Sequence, residues 1–179
     1  MKTVSILALS LLCLGIAVPG LRAQRDQQQD VLTEAEQNKI EEAGIDADAR
    51  IGLYAKYVGE RADRVRRLGG RSESGMGRAM DRELENLASL VDELSSNLDE
   101  YGGRMADIRH SLQTLDKAIP HWQEVVKNLP KNDVYQISLD DATAALKDLG
   151  DQTRQLTAKE DGFFKAHKDA KGQQYEEPK

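Results

Sequence analysis

The chain has 179 residues, a formal net charge of −6 at pH 7 and only 4% aromatic residues. This length fits one domain, and an acidic chain poor in aromatic residues is unlike a nucleic-acid-binding protein. We therefore expect no nucleic-acid partner. Cys13 is the single cysteine, so no disulfide within the chain can support the fold.

The first 23 residues have the features of a signal peptide. Lys2 gives a positive start, an apolar stretch runs from Val4 to Val18, and Ala23 is a small residue at the expected cleavage site. Cleavage there would leave an exported protein, periplasmic or extracellular, without a cysteine. Lipid attachment at Cys13 is the alternative, but two leucines precede it where small residues are needed. No later segment is apolar enough to predict a transmembrane helix.

Two short patterns predict the first helix. Thr33 is followed three residues later by Glu36, which is the arrangement of a capping box, and Gly44 is a typical residue at a helix end. The segment before it, residues 24–32, is polar and glutamine-rich, so we predict a spacer there. The helical domain then covers residues 33–168, and residues 169–179 form a charged, disordered tail.

Four longer helices are predicted by apolar residues that recur at three- and four-residue intervals, the spacing of amphipathic helices and coiled coils. The second helix begins at Asp46 as its N-cap and ends at Gly69 and Gly70. Pro120 should bend the fourth helix, whereas the spacing turns Trp122 inward. The four predicted helices span residues 46–68, 77–101, 104–129 and 134–160.

Gly102 and Gly103 interrupt the apolar pattern without changing its phase. A continuous helix from Gly77 to Leu129 would be about 80 Å long, and each central glycine would cost up to about 1 kcal/mol relative to alanine. A turn avoids that cost and leaves helices of similar length. We therefore predict a turn there, with positive φ at one glycine and with Asp107 or a neighbour capping the next helix. The expected fold is all-α: an antiparallel four-helix up-and-down bundle with a short N-terminal helix, monomeric or weakly dimeric.

The segments LTEAEQNKIEEAG…ADARIGLYAKYVGERADRV and ADIRHSLQTLDKAIPHWQEVV carry a resemblance to known proteins. With the signal peptide, they resemble a group of uncharacterised secreted helical proteins from bacteria of the acidobacterial type. The motifs that carry the resemblance are helix caps and core positions. The resemblance therefore implies a helical fold and export, and it assigns no functional residue.

The segment GGRSESGMGR, residues 69–78, is the one glycine-rich stretch with a possible chemical role. Gly70 and Gly75 have the spacing of a phosphate-binding loop, but Met76 and Gly77 stand where Lys and Ser or Thr are required. The dinucleotide pattern also fails, because Met80 occupies the position of its third glycine. We interpret the segment as a loop between helices and expect neither an enzyme nor a cofactor.

The histidines do not form a metal-binding pattern. His110 and His121 are adjacent to inward positions and should face outward. Glu160 and His167 fall on the apolar phase of the last helix, but they are two turns apart and are expected beyond the packed body. We therefore predict no metal or haem site.

The chain has one basic cluster. Cations near a helix C-terminus complement its dipole, which is a sufficient structural explanation. The functional explanation is an anionic partner, such as lipid headgroups or an acidic protein face. The cluster consists of Arg61, Arg64, Arg66, Arg67 and Arg71.

Two functions remain open. The first is an exported, non-catalytic helical bundle that binds a protein or an envelope surface through its outer helix faces. The second is a periplasmic small-ligand carrier or sensor. A pocket beside the aromatic side chains would favour the carrier, and an exposed apolar stripe would favour surface binding. The aromatic residues in question are Tyr54, Tyr57, Tyr101 and Trp122.

Overall fold

The structure, a computed structural model, describes residues 31–70 and 75–167, and in these residues it contains five α-helices and no strand. The all-α prediction is confirmed. The predicted signal peptide at 1–23, most of the predicted spacer and the tail at 169–179 lie outside the described residues. The helices are α1 (Glu34–Glu42), α2 (Ala47–Gly69), α3 (Met76–Gly103), α4 (Arg109–Lys127) and α5 (Gln136–Ala166).

The first two helices begin as their sequences predict. The Thr33 side chain accepts a hydrogen bond from the Glu36 N–H, and the Glu36 carboxylate accepts one from the Thr33 N–H, which completes the capping box. Asp46 caps α2 by accepting a hydrogen bond of 3.0 Å from the Ala49 N–H. Gly44, with φ of +59°, lets the chain turn sharply between the two helices.

The apolar positions predicted from the spacing form the core. Ile51, Leu84, Leu94, Leu112 and Leu146 are all fully buried, one or more from each of the four long helices. The core also includes Leu32, and Val31 packs against it, so the packed body begins two residues before the predicted boundary at 33. These two apolar residues end the otherwise polar spacer and are close enough to α1 to be buried with it.

The four long helices surround this core in an order that the sequence does not predict. An up-and-down bundle places α3 beside α4, which follows it in the chain. Instead, α3 packs against α2 and α5, and α4 packs against the same two helices. Within the described residues, α3 and α4 make no close backbone contact with each other, nor do α2 and α5. Consecutive helices α3 and α4 therefore lie on a diagonal of the bundle.

Contacts between helices show the direction in which each pair runs. On α3 and α5, Ser95 contacts Gln152 and the Gly102 carbonyl contacts Lys159, so contacts advance along both helices together. These two helices are parallel. On α2 and α4, Asp48 contacts Ser111 and, further along both helices, Gly59 lies close to Trp122. These two helices are therefore parallel as well. The chain thus forms two antiparallel hairpins, α2–α3 and α4–α5, packed side by side.

The chain does leave its helix near the two glycines, although not at them. Gly102 and Gly103 are the last residues of α3, and residues 104–108 form the crossover to α4. The positive φ belongs to Met105, at 55°, and to neither glycine. The prediction of a left-handed glycine was therefore wrong, as was the assignment of Met105 to the following helix.

Two further boundaries differ from the predicted ones. α5 continues through Gly162 as far as Ala166, which makes it 31 residues long, while α4 has only 19.

Pro120 lies within α4 on its exposed side, where its missing N–H faces away from the core. None of the described helices combines the length and the apolar character needed to span a bilayer.

Candidate functional site

Arg61, the first member of the predicted basic cluster, is a buried structural residue. It is 4% exposed, and its guanidinium donates two hydrogen bonds to the Glu36 carboxylate, at 3.1 and 2.8 Å, and one of 2.9 Å to the Val31 carbonyl. This fork ties α2 to α1 and to the segment before it. Arg61 is therefore not available to an external anion, which corrects its assignment to the anionic-partner patch.

Glu36, the partner of Arg61, has a lowered pKa. Burial disfavours the charged form of Glu36, but hydrogen bonds involving Arg61 and Thr33 outweigh it and lower the pKa of Glu36 from 4.5 to about 2. The same carboxylate thus completes the capping box of α1 and neutralises Arg61. Glu36 and Arg61 form the structural junction between the short helix and the bundle.

Two other predicted members of the cluster are held in ion pairs. Arg64 donates a hydrogen bond of 3.0 Å to Glu83 on α3, and Arg66 donates one of 2.8 Å to Asp63 on its own helix. Both arginines stay partly accessible to solvent, with side-chain exposures of 34% and 58%. They can contribute positive potential to the surface, although each is partly neutralised.

The remaining predicted member that the structure describes, Arg67, is exposed and lies at a groove of about 300 Å³ between α2 and α3. Arg82, an exposed residue of α3, lines the same groove from the other side. Arg71, the last predicted member, lies outside the described residues. We call this feature the arginine groove, and it is lined by Arg64, Arg67, Leu68, Ala79, Arg82 and Glu83.

Sequence reasoning missed Arg82 because it is on a different helix from the others. No ion pair of Arg67 or Arg82 is found among the described residues, whereas the single acid of the groove, Glu83, is bound to Arg64. The groove therefore has an excess of positive charge. Guanidinium groups bind phosphate and carboxylate oxygens in a planar, two-pronged geometry, so an anionic oxygen group is the ligand chemistry that this groove fits.

The face formed by α3 and α5 has the opposite charge. A groove of about 410 Å³ there is lined by alanines and serines and by Glu85, Asp92, Asp141 and Asp148. Burial raises the pKa of Asp92, and the charges of Asp141 and Asp148 raise it further. The molecule therefore presents a basic groove on one helix pair and an acidic groove on another.

The aromatic residues proposed to hold a small ligand are packed into the core. Tyr57 is 2% exposed, Trp122 is 4% exposed, and Tyr54 and Tyr101 are each 8% exposed. The grooves described above are lined by other residues, as is a third of about 280 Å³ between α2 and α4. The Tyr57 hydroxyl is buried without a hydrogen-bond partner among the described residues. The small-ligand function stays a prediction.

The exposed apolar residues do not form the stripe that surface binding would favour. Among the described residues, the large apolar side chains that are exposed are Ile45, Val134 and Ile137. Ile45 lies in the turn before α2, while Val134 and Ile137 lie at the start of α5, at the opposite end of the bundle. Charge, rather than an apolar surface, distinguishes the outer faces.

The predicted outward positions of His110 and His121 are confirmed, but the placement of Glu160 was wrong. His110 and His121 are exposed on α4. Glu160 is fully buried and is part of the packed body, because α5 continues for almost two turns beyond it. Within the described residues, no group of three or more His, Cys, Asp or Glu side chains could hold a metal ion.

Glu160 lies beneath the crossover at the amino end of α4. The N-cap residue, Ile108, offers no side-chain acceptor, but Asp107 beside it accepts a hydrogen bond of 3.4 Å from the Arg109 N–H. Carboxyl groups of two other helices meet the N–H groups of Ile108 and Ser111. Glu160 Oε2 accepts a hydrogen bond of 3.3 Å from the Ile108 N–H, and Asp48 on α2 accepts one of 2.8 Å from the Ser111 N–H. Acceptors are needed there because the first N–H groups of a helix have no partner within the helix.

No known protein family matches the chain, and neither a curated protein nor a solved structure matches it. The geometry of the described residues is therefore the basis of the functional argument.

Proposed function

We propose that this protein is an exported, non-catalytic helical protein that binds an anionic envelope surface through the arginine groove. The observation that carries the proposal is the pair of exposed arginines, Arg67 and Arg82, on two helices of one groove, in which the only acid among the described residues is already bound to Arg64. Export follows from the signal-peptide features of residues 1–23. We expect a monomer or a weak homodimer.

A surface rich in anionic headgroups fits this groove better than a single small anion does. The two arginines are exposed to solvent, so each gains little from one isolated charge in water. Near an anionic bilayer, each basic residue contributes about 1 kcal/mol, and several contributions add. The partly exposed Arg64 and Arg66 extend the positive surface beside the groove.

Vesicle binding tests the proposal directly. Sedimentation with vesicles of phosphatidylglycerol and phosphatidylcholine should capture the wild type at low salt, and binding should weaken as salt screens the charges. The double variant Arg67→Glu and Arg82→Glu should bind at least about tenfold more weakly. A matched control, Lys117→Glu with Arg154→Glu, makes the same change in net charge on exposed positions of α4 and α5.

Equal loss of binding in both double variants would show that net charge, and not the groove, determines binding. Wild-type binding to pure phosphatidylcholine vesicles as strong as to the anionic ones would contradict an anionic partner. If the wild type binds neither kind of vesicle, an acidic protein face is the remaining partner of this chemistry. Capture of exported wild type, but not of the groove variant, by envelope proteins would then identify it.

A further inference from the structure

The last turns of α5 hold together the two helix ends that the crossover joins. Lys159 donates a hydrogen bond of 2.8 Å to the Gly102 carbonyl at the end of α3. The next residue, Glu160, accepts the Ile108 N–H at the start of α4. One turn later, the centroid of the buried Phe164 ring lies 4.2 Å from the guanidinium carbon of Arg109.

Glu160 is the member of this set whose charge is least compensated. Its side chain is fully buried, and its Oε1 has no hydrogen-bond partner among the described residues. In the part of the chain that the structure describes, its single hydrogen bond comes from a backbone N–H and no ion pair reaches it. A buried carboxylate without an ionic partner is unstable, so the carboxyl group is held in its neutral form until the pH rises or the site opens to water.

The neighbouring charges act in both directions. Burial is the main reason that the pKa of Glu160 rises from 4.5 to about 7, and the charge of Asp107 on the crossover raises it further. The Ile108 hydrogen bond, Arg109 on α4 and Lys159 on α5 lower it. Arg109 is already bound to Asp107 and Lys159 to a carbonyl of α3, which leaves neither free to pair with Glu160. At this end of α4, α2 contributes Asp48, another acid.

The crossover itself is a suitable element to open. It has only five residues, it holds Met105 at a positive φ that costs free energy in a residue with a side chain, and the N-cap residue of α4, Ile108, offers no side-chain acceptor. We propose that Glu160 is a proton-controlled latch: protonated, it keeps the end of α5 docked under the α3–α4 crossover, and ionised, it releases this end of the bundle. This regulation is separate from the anion binding proposed for the arginine groove, because that groove lies between the end of α2 and the start of α3.

The direction of the pH response follows from the two states of the carboxyl group. The docked state binds the proton more tightly than the released state, in which Glu160 is in water with an ordinary pKa. Docking is therefore strongest below pH 4.5 and weakens as the pH rises towards about 7. Across that interval, the equilibrium between released and docked states should shift on the order of 10²-fold towards release.

Hydrogen exchange at the Ile108 amide tests the latch on the full chain. After correction for the intrinsic pH dependence of exchange, the protection of Ile108 in the wild type should fall on the order of 10²-fold between about pH 5 and pH 8. Glu160→Gln keeps the oxygen acceptor and cannot ionise, so its protection should stay constant. Glu93→Gln is the control, because burial also raises the pKa of Glu93 but this residue lies on α3, far from the crossover.

Constant protection in the wild type, or the same pH dependence in Glu160→Gln, would overturn the latch. A loss of protection that Glu93→Gln abolishes would also overturn it. If Glu160→Gln does not fold, the wild type alone decides the question through carboxyl carbon NMR. A Glu160 titration midpoint near 7 that coincides with exchange at Ile108 supports the latch, and a midpoint near 4.5 contradicts it.

Discussion

Gly102 of α3 lies directly against Leu156 of α5: a Cβ at Gly102 would be 2.5 Å from Leu156 Cδ2. Real side chains do not approach so closely, so the absence of a side chain is what lets the two parallel helices meet at this point. Gly103, the next residue, has open space around its Cβ direction. The two glycines therefore differ in role although both end the same helix.

Gly102→Ala should destabilise the fold by about 1 to 3 kcal/mol, because Leu156 must shift or α3 and α5 must separate. Gly103→Ala is the matched control and should be neutral or stabilising by up to about 1 kcal/mol, since it adds helix propensity without a clash. Urea denaturation of each variant measures both changes. Equal effects of the two substitutions would mean that α3 and α5 do not meet at Gly102.

The ion pair between Arg61 and Glu36 should make stability depend on acid pH. The pKa of Glu36 is about 2 in the folded protein, whereas its ordinary value is 4.5. Its contribution to the free energy of unfolding is therefore complete above pH 4.5 and is lost as the pH falls towards 2. The loss should reach about 3 kcal/mol. Denaturation between pH 2 and pH 6 measures it. A variant Glu36→Gln should remove that part of the pH dependence, and an unchanged profile would contradict the role of this carboxylate.

Arg61→Ala should cost about 3 to 5 kcal/mol, because it leaves the Glu36 carboxylate and the Val31 carbonyl without their donor in a buried setting. In the double variant with Glu36→Gln, the cost should be clearly smaller than the sum of the two single costs. A double-mutant cycle gives this coupling. Arg67→Ala, at an exposed position of the same helix, should cost less than about 0.5 kcal/mol.

Trp122→Ala should cost about 3 to 5 kcal/mol, since it removes the largest apolar body from the core where α4 faces Gly59 of α2. The exposed neighbour His121 provides the control, and His121→Ala should change stability little. Thermal or urea unfolding measures both. Because Trp122 is the single tryptophan, its fluorescence in the wild type should also be that of a buried indole. A red-shifted, readily quenched emission would contradict its burial.

Asp48 should stabilise α4 from α2. Asp48→Ala removes the acceptor of the Ser111 N–H and should cost about 1 to 2 kcal/mol, similar to the loss of an N-cap. Asp48→Asn keeps a side-chain oxygen and should recover most of that stability. Unfolding experiments compare the three proteins, with the Ser111 amide followed by hydrogen exchange. An Asn variant as unstable as the Ala variant would argue against the hydrogen bond as the cause.

Local patterns in the sequence were sufficient to predict the helices and their buried faces. The capping box of Thr33 and Glu36, the cap at Asp46 and the inward position of Trp122 all follow from residues close together in the chain. Helix caps and apolar spacing act over one or two turns, so a single segment contains the information that they need. For this reason the all-α prediction and most core positions were correct.

The neighbours of each helix were decided only in the tertiary structure. An apolar stripe shows which face of a helix is buried, but it does not show which other stripe covers that face, because apolar contacts are not directional. The sequence therefore did not reveal that α3 lies beside α5, or that α3 and α4 lie on a diagonal. Arg61 and Glu160 were misplaced for the same reason: the partners that bury them, Glu36 and Ile108, are 25 and 52 residues away in the chain.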